Sequence, residues 1–276
     1  MNYRHAYHAG NFADVAKHLT LVAALLQLRK KDKPFFVLDT HGGRGRYDLG
    51  ADEAARTGEA AAGIGRLLPP GDEGGRPPVL ETYLDLVAQD GAGHYPGSPL
   101  LAARLLRPQD RLVAVEKHPE DAAALMAALA PFGNVRAIAG DGYGRLSTLL
   151  PPKERRGLVL IDPPYEAPDE FEQAAGALKA AWRRFATGIY MLWFPIKSPA
   201  AAEAFCGEAL AAGVAKALRI DIAAPARPQD DKPRLTAAGL LVVNPPFGLD
   251  AEVQACAGIL SAKLGARLEM RRLAGD

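Results

Sequence analysis

Seven short apolar runs punctuate the chain, at positions 35–38, 112–115, 135–139, 158–161, 189–194, 218–223 and 240–243. Each is rich in Val, Leu, Ile or Phe, the composition of strands buried on both faces. Alanine- and leucine-rich stretches with helical spacing separate most of them. Strands alternating with helices in this way build βαβ units. The pattern predicts an α/β fold: a doubly wound, mostly parallel sheet of seven strands, covered by helices on both faces. The last two strands lie close together and are expected to form an antiparallel hairpin.

One connection is far too long for a simple crossover. Roughly 70 positions separate Thr40 from Arg111, whereas a βαβ crossover needs only a dozen or more. Within it, 51–68 and 79–88 have helical character, split by the loop-like Pro69-Pro70-Gly71-Asp72-Glu73-Gly74-Gly75. We therefore expect a small helical insertion over 51–108, between the first two strands. Upstream, 14–30 reads as an amphipathic helix, so 1–33 forms an amino-terminal segment and helix ahead of the sheet. The whole of 1–276 is expected to be a single domain.

Composition narrows the picture without deciding it. Of 276 residues, 49% are hydrophobic and 24% charged, and the formal net charge is +1. These are ordinary globular values, and no global field marks a nucleic-acid binder. Short basic clusters occur, such as Arg29-Lys30-Lys31 and Arg271-Arg272. They permit a phosphate-contacting face and are equally explained as solvated ends of helices and loops. The two cysteines, Cys206 and Cys256, have no metal-ligand spacing, which argues for a reducing compartment and no bound metal. No run approaches the ~20 apolar residues of a membrane span. Nor does the apolar stretch after Lys17 end in a small-residue cleavage site. The expected location is the cytoplasm, with no obligate protein partner.

The chemistry is concentrated at strand ends. Gly157-Leu158-Val159-Leu160-Ile161 is followed at once by Asp162-Pro163-Pro164-Tyr165. Two prolines end ladder pairing and stiffen the turn. They present a carboxylate, the Pro163 carbonyl and an aromatic ring at the edge where open α/β sheets bind ligands. An acceptor pair beside a stacking ring suits a planar base carrying an exocyclic amino group. After the first strand comes Asp39-Thr40-His41-Gly42-Gly43-Arg44-Gly45, whose glycines allow close backbone approach to a ligand. It lacks the spacing of a nicotinamide site. Glu116 ends the second strand, where a carboxylate accepts ribose hydroxyls. Asp141 and Gly142 follow the third, either beside a bound adenine or as a plain helix cap.

Asn244-Pro245-Pro246-Phe247 has the same chemical form as the Asp162 motif. It closes the seventh strand rather than the fourth, so it is read as a structural turn. Ser98-Pro99 reads as a helix cap followed by a first-turn proline. The amino terminus, from Asn2 to Asn11, mixes aromatic, imidazole and guanidinium groups without periodicity. Tyr3, Arg4 and His5 suit stacking on RNA and binding its phosphates, against the rival of a plain terminus.

These strings together resemble the RlmJ-type 23S ribosomal RNA adenine-N6 methyltransferases. The resemblance runs nearly end to end. It is carried by Tyr3-Arg4-His5, His8-Ala9-Gly10-Asn11, Asp14, Lys17, His18, Leu38-Asp39-Thr40-His41, Arg56-Thr57-Gly58-Glu59, Tyr95-Pro96-Gly97-Ser98-Pro99 and the Asp162 motif. Gly43, where relatives often have alanine, is a modest departure. The resemblance implies a Rossmann-like class I methyltransferase using S-adenosyl-L-methionine. Cofactor contacts would fall on His18, His41, Ser98, Glu116, Asp141, Gly142 and Asp162. Asp162, Pro163 and Tyr165 would be catalytic, and Tyr3, Arg4, His5, Lys17 and Tyr165 would meet 23S ribosomal RNA. The alternatives are a DNA adenine-N6 or cytosine-N4 methyltransferase, a protein-glutamine methyltransferase, and a non-enzymatic DNA-uptake or utilisation protein.

Overall fold

The computed structural model describes residues 7–52, 57–68, 75–225 and 235–274. Tyr3, Arg4, His5 and Arg56 lie outside them. Helix α1 (Phe12–Arg29) precedes strand β1 (Phe36–Asp39). The long connection then holds β2 (Arg46–Asp48), α2 (Glu59–Ala62), α3 (Pro78–Ala88), β3 (His94–Pro96) and α4 (Ser98–Leu105). The chain continues through β4 (Arg111–Glu116), α5 (Pro119–Leu129), β5 (Val135–Ala139), α6 (Gly142–Leu149), β6 (Gly157–Ile161) and α7 (Glu170–Arg184). It closes with β7 (Ile189–Pro195), α8 (Pro199–Leu210), β8 (Ala217–Ala223), β9 (Ala237–Val243), α9 (Leu249–Ala255), α10 (Ala257–Leu264) and β10 (Arg267–Ala274).

The main sheet has eight strands in the order β10-β8-β9-β7-β6-β1-β4-β5. From β5 to β7 all pairs are parallel, and β9, β8 and β10 complete the sheet with antiparallel pairing. All seven predicted strands are present, including the β8–β9 hairpin. The eighth, β10, is an addition. It pairs only with β8, and its sequence Arg-Leu-Glu-Met-Arg-Arg-Leu-Ala carries charge along an open edge. Charged residues protect an edge strand from unwanted pairing and hide it from a search for apolar runs.

The insertion also differs in detail from the expected pair of helices. Gly58 takes φ +59° and Gly63 turns the chain again, so the segment after Gly58 forms only a one-turn helix, α2, and a short 3-10 turn, Ile64–Arg66. β2 and β3 pair as a separate antiparallel ribbon, each too short to show periodicity. The helix α3 agrees with expectation.

Two apolar cores sandwich the sheet. One joins α1, α3, α4, α5, α9 and α10 to one face, and the other joins α6, α7 and α8 to the opposite face. Helix α1 is buried along almost its whole length and packs on α3, α4 and α9. It is therefore not the amphipathic helix expected: packed on several sides, it buries Asp14, Lys17 and His18 along with its apolar residues. The chain runs β1, β4, β5 toward one edge, then returns to β6 on the other side of β1. The carboxyl ends of β1 and β6 therefore flank the point where strand order reverses, the expected ligand crevice of such sheets.

Candidate active site

Asp162 comes directly after the last residue of β6, where the two prolines stop the strand. Its Oδ2 is 2.5 Å from Nζ of Lys17, which reaches in from α1 and also lies 2.8 Å from Oδ1 of Asp14. The Lys17 side chain is only 4% exposed. Burial alone would lower its pKa, but Asp14 and Asp162 outweigh that and hold it well above the ordinary lysine range. A buried ammonium flanked by two carboxylates is paired on both sides, and removing one member would leave an uncompensated buried charge.

Tyr165, three residues on, has φ +53°. Its hydroxyl donates to the Trp193 carbonyl at 2.7 Å, and its ring packs among Phe171, Trp193 and Phe205. The ring is thus fixed at its tip and on its sides, in a half-buried position lining a cavity at the β1–β6 edge. Burial raises the Tyr165 phenol well above its ordinary pKa.

The turn after β1 is built around buried Asp39. Its Oδ2 accepts from the Ser98 hydroxyl at 2.7 Å and its Oδ1 from the His41 backbone at 3.2 Å. Burial pushes the Asp39 carboxyl up to about 7, with the Ser98 hydrogen bond acting against the rise. Thr40 donates its hydroxyl to the Leu160 carbonyl and also lies 2.8 Å from His41 Nδ1. With that hydroxyl proton used, Nδ1 must be the donor, which leaves Nε2 of a neutral imidazole as an acceptor. Burial lowers the His41 pKa to about 4, so the neutral form prevails at physiological pH.

Glu116 accepts from two backbone amides, Gly43 at 2.8 Å through Oε2 and His118 at 2.8 Å through Oε1. It thereby ties the glycine turn to the end of β4. Asp141 is exposed and caps α6 through Gly144 N at 2.8 Å. Asp141 thus caps the helix, and it also lines the cavity. A Cβ on Gly142 would fall 1.9 Å from the Thr40 carbonyl, so only glycine lets α6 approach β1 so closely. His18 Nδ1 lies 2.6 Å from the Tyr95 hydroxyl, which in turn meets Tyr83 at 2.8 Å.

The cavity, of about 820 Å³, brings together His18, His41, Ser98, Glu116, Asp141, Gly142, Lys17 and the whole Asp162–Tyr165 motif. Ser98 does not cap its helix: Gly97 is the cap residue, and the Ser98 hydroxyl serves Asp39. The second proline motif lies elsewhere. Asn244, at φ +52°, donates to the Ala186 and Gly188 carbonyls, and the Phe247 side chain is 99% exposed, outside the cavity. Sequence reasoning did not assign roles to Asp14, Asp39 or Tyr95. Asp14 carried one signal, its i−3 spacing to Lys17 on a helix.

Comparison with known proteins identifies the family. The family model described as ribosomal RNA large subunit methyltransferase D, RlmJ, matches residues 32–273. The chain belongs to the RlmJ family. Ribosomal RNA large subunit methyltransferase J of Haemophilus influenzae is 40% identical over 259 residues, covering 92% of this chain and 90% of the relative. The Escherichia coli K12 protein of the same description is 40% identical over 268 residues, covering 96% and 94%. A crystal structure of a Legionella pneumophila protein superposes with a TM-score of 0.84 at 35% identity, over 98% of this chain and 99% of that one. Membership of the RlmJ family makes the chain an S-adenosylmethionine-dependent methyltransferase with a Rossmann-like fold.

Proposed function

We propose that the protein transfers a methyl group from S-adenosylmethionine to N6 of an adenine in 23S ribosomal RNA, and that the cavity at the β1–β6 edge is its active site. The observation that carries this reading is the position of Asp162. It stands at the end of β6, ion-paired to Lys17, in the same cavity as His41, Glu116 and Asp141. An rRNA substrate supports a cytoplasmic location.

The residues present fit the cofactor. Glu116 and Asp141, at neighbouring strand ends, supply carboxylates for hydroxyl and amino donors, and Gly42, Gly43 and Gly142 line the same cavity. We assign Glu116 to the ribose, Asp141 and Gly142 to the adenine, and His18, His41 and Ser98 to the methionine portion. When bound, S-adenosylmethionine supplies a methyl group on a positively charged sulfur.

An exocyclic amine is a weak nucleophile because its lone pair is delocalised into the ring. The Asp162 carboxylate and Pro163 carbonyl accept its N6–H bonds and favour a pyramidal nitrogen with its lone pair directed at the methyl carbon. Lys17 fixes the carboxylate while remaining an ammonium. Tyr165, its hydroxyl held by the Trp193 carbonyl, stacks on a base taken out of its helix, as enzymes acting on bases require. The amine proton departs to Asp162 or to water. Much of the acceleration comes from holding the partners in line. Tyr3, Arg4 and His5 precede residues 7–11, of which His8 and Asn11 line the cavity, and we assign them to RNA contact.

Labelled methyl transfer tests the reading directly. Label should enter 23S ribosomal RNA lacking the modification, at adenine N6, and should enter neither DNA nor protein. Incorporation into duplex DNA but not RNA would sink the substrate assignment while leaving the chemistry intact.

A further inference from the structure

We infer that Glu59 is a positioning residue for methyl transfer: it pins residues 7–11 against the cavity and, through them, sets the Lys17–Asp162 pair. The inference rests on the methyl-transfer function proposed for the cavity. The string Thr57-Gly58-Glu59 lies in the insertion, away from every strand end, and no step of the chemistry uses it.

The contacts are specific. Thr57 donates its hydroxyl to the Tyr7 carbonyl at 2.7 Å. His8 Nδ1 and Asn11 Nδ2 converge on Glu59 Oε2, each at 3.0 Å, with the Glu59 side chain 14% exposed. Ile64 N donates to the Gly10 carbonyl at 2.8 Å. A Cβ at Gly63 would fall 2.1 Å from that carbonyl, so backbone meets backbone here.

From Glu59 the hydrogen bonds run on to the catalytic carboxylate. Asn11 Oδ1 accepts from Asp14 N at 2.9 Å, which caps α1, and Asp14 Oδ2 accepts from Gly10 N at 2.9 Å. Asp14 Oδ1 holds Lys17, and Lys17 holds Asp162. Residues 7–11 are thus fixed on one side by the insertion and on the other by the start of α1. A misplacement of about 1 Å in such a supporting group can cost roughly 100-fold in rate.

The test compares wild type, Glu59→Ala and Glu59→Gln, using S-adenosylmethionine and deproteinised, unmodified 23S ribosomal RNA. Glu59→Ala should lower kcat at least tenfold, leave KM for S-adenosylmethionine within twofold, and speed amide exchange at Gly10 and Ile64 but not at Thr40 or Gly43. Glu59→Gln, which keeps an acceptor for Asn11 Nδ2, should recover kcat to within threefold of wild type. Faster exchange at Gly10 and Ile64 with unchanged kcat would make the contact structural and overturn the inference, as would unchanged exchange. If the alanine variant does not fold, Thr57→Val, which removes the hydroxyl that bonds the Tyr7 carbonyl and the Glu59 amide while keeping the Glu59 carboxylate, must show the same kcat loss with unchanged KM. Absence of transfer to RNA by wild type would instead strike the methyl-transfer reading, and exchange would still decide whether Glu59 holds the segment.

Discussion

Lys17 and Asp162 meet at 2.5 Å although 145 positions separate them in the chain, one on α1 and one at the end of β6. With Asp14 on its other side, Lys17 is the buried cation between two carboxylates. Lys17→Met would leave both carboxylates without it, and breaking a buried pair costs ~3–5 kcal/mol. At roughly 2–4 °C per kcal/mol for a chain of this size, the melting temperature should fall by about 6–20 °C. Adding Asp14→Asn should restore part of that loss without restoring methyl transfer. Thermal denaturation and labelled transfer on both variants check this, and an unchanged melting temperature in Lys17→Met would refute the buried-pair account.

The two proline motifs should respond in opposite ways. Asp162→Asn removes the charge that accepts the amine hydrogens, so transfer should be lost while the secondary structure stays intact. Asn244→Ala removes two hydrogen bonds to the 186–188 turn and places alanine at a positive φ. It should lower stability by ~1–3 kcal/mol and leave turnover close to wild type. Loss of activity in Asn244→Ala with the cofactor still bound would show that the wrong strand end was chosen.

The contrast between these motifs shows what the sequence could and could not reveal. Asp162 and Asn244 follow equally apolar strands, and strand count alone told them apart: β6 lies beside β1, whereas β9 runs antiparallel and ends at the opposite edge. Buried parallel strands were legible because both faces demand apolar residues. β10 was not, because an edge strand half open to water carries Arg and Glu between its Leu and Met. Ser98 was misread for a related reason: a serine before a proline signals a cap locally, but a buried carboxylate, Asp39, sits within reach and accepts the hydroxyl's hydrogen bond. Glu59 could not be read at all. Its partners are 48 and 51 positions away, and no local rule couples them.

pH should act on the site through His41 and Asp39 in opposite senses. His41 is held down to about 4, below its ordinary value of about 6.5. Its contribution to stability is therefore complete above about 6.5 and is lost as pH falls through about 4. Asp39 is raised to about 7, so its contribution is complete below about 3.9 and is lost as pH rises through 7. His41→Asn should thus remove the acid-side loss alone, and Asp39→Asn the loss on the neutral side alone. Denaturant midpoints at pH 4.5, 6 and 8 check both slopes. The His41 ring resonance should not titrate above about pH 5; a midpoint near 6.5 would place the ring in solvent.

Glu116 gives the sharpest test of the cofactor site, because it has a structural task that could be mistaken for a binding one. Its two oxygens hold the Gly43 and His118 amides, and Gly43 is itself constrained, since a Cβ there would fall 2.1 Å from the Tyr47 hydroxyl. Glu116→Ala therefore both frees the turn and removes an acceptor for ribose hydroxyls. Losing those ligand hydrogen bonds should weaken binding by ~1–3 kcal/mol. Comparing ligands separates the two effects. S-adenosylhomocysteine should lose affinity in Glu116→Ala by about 5- to 150-fold, whereas its 2′,3′-dideoxy analogue, already weak for wild type, should lose much less. An equal loss for both ligands, measured by calorimetry, would mean that Glu116 shapes the turn and does not touch the ribose.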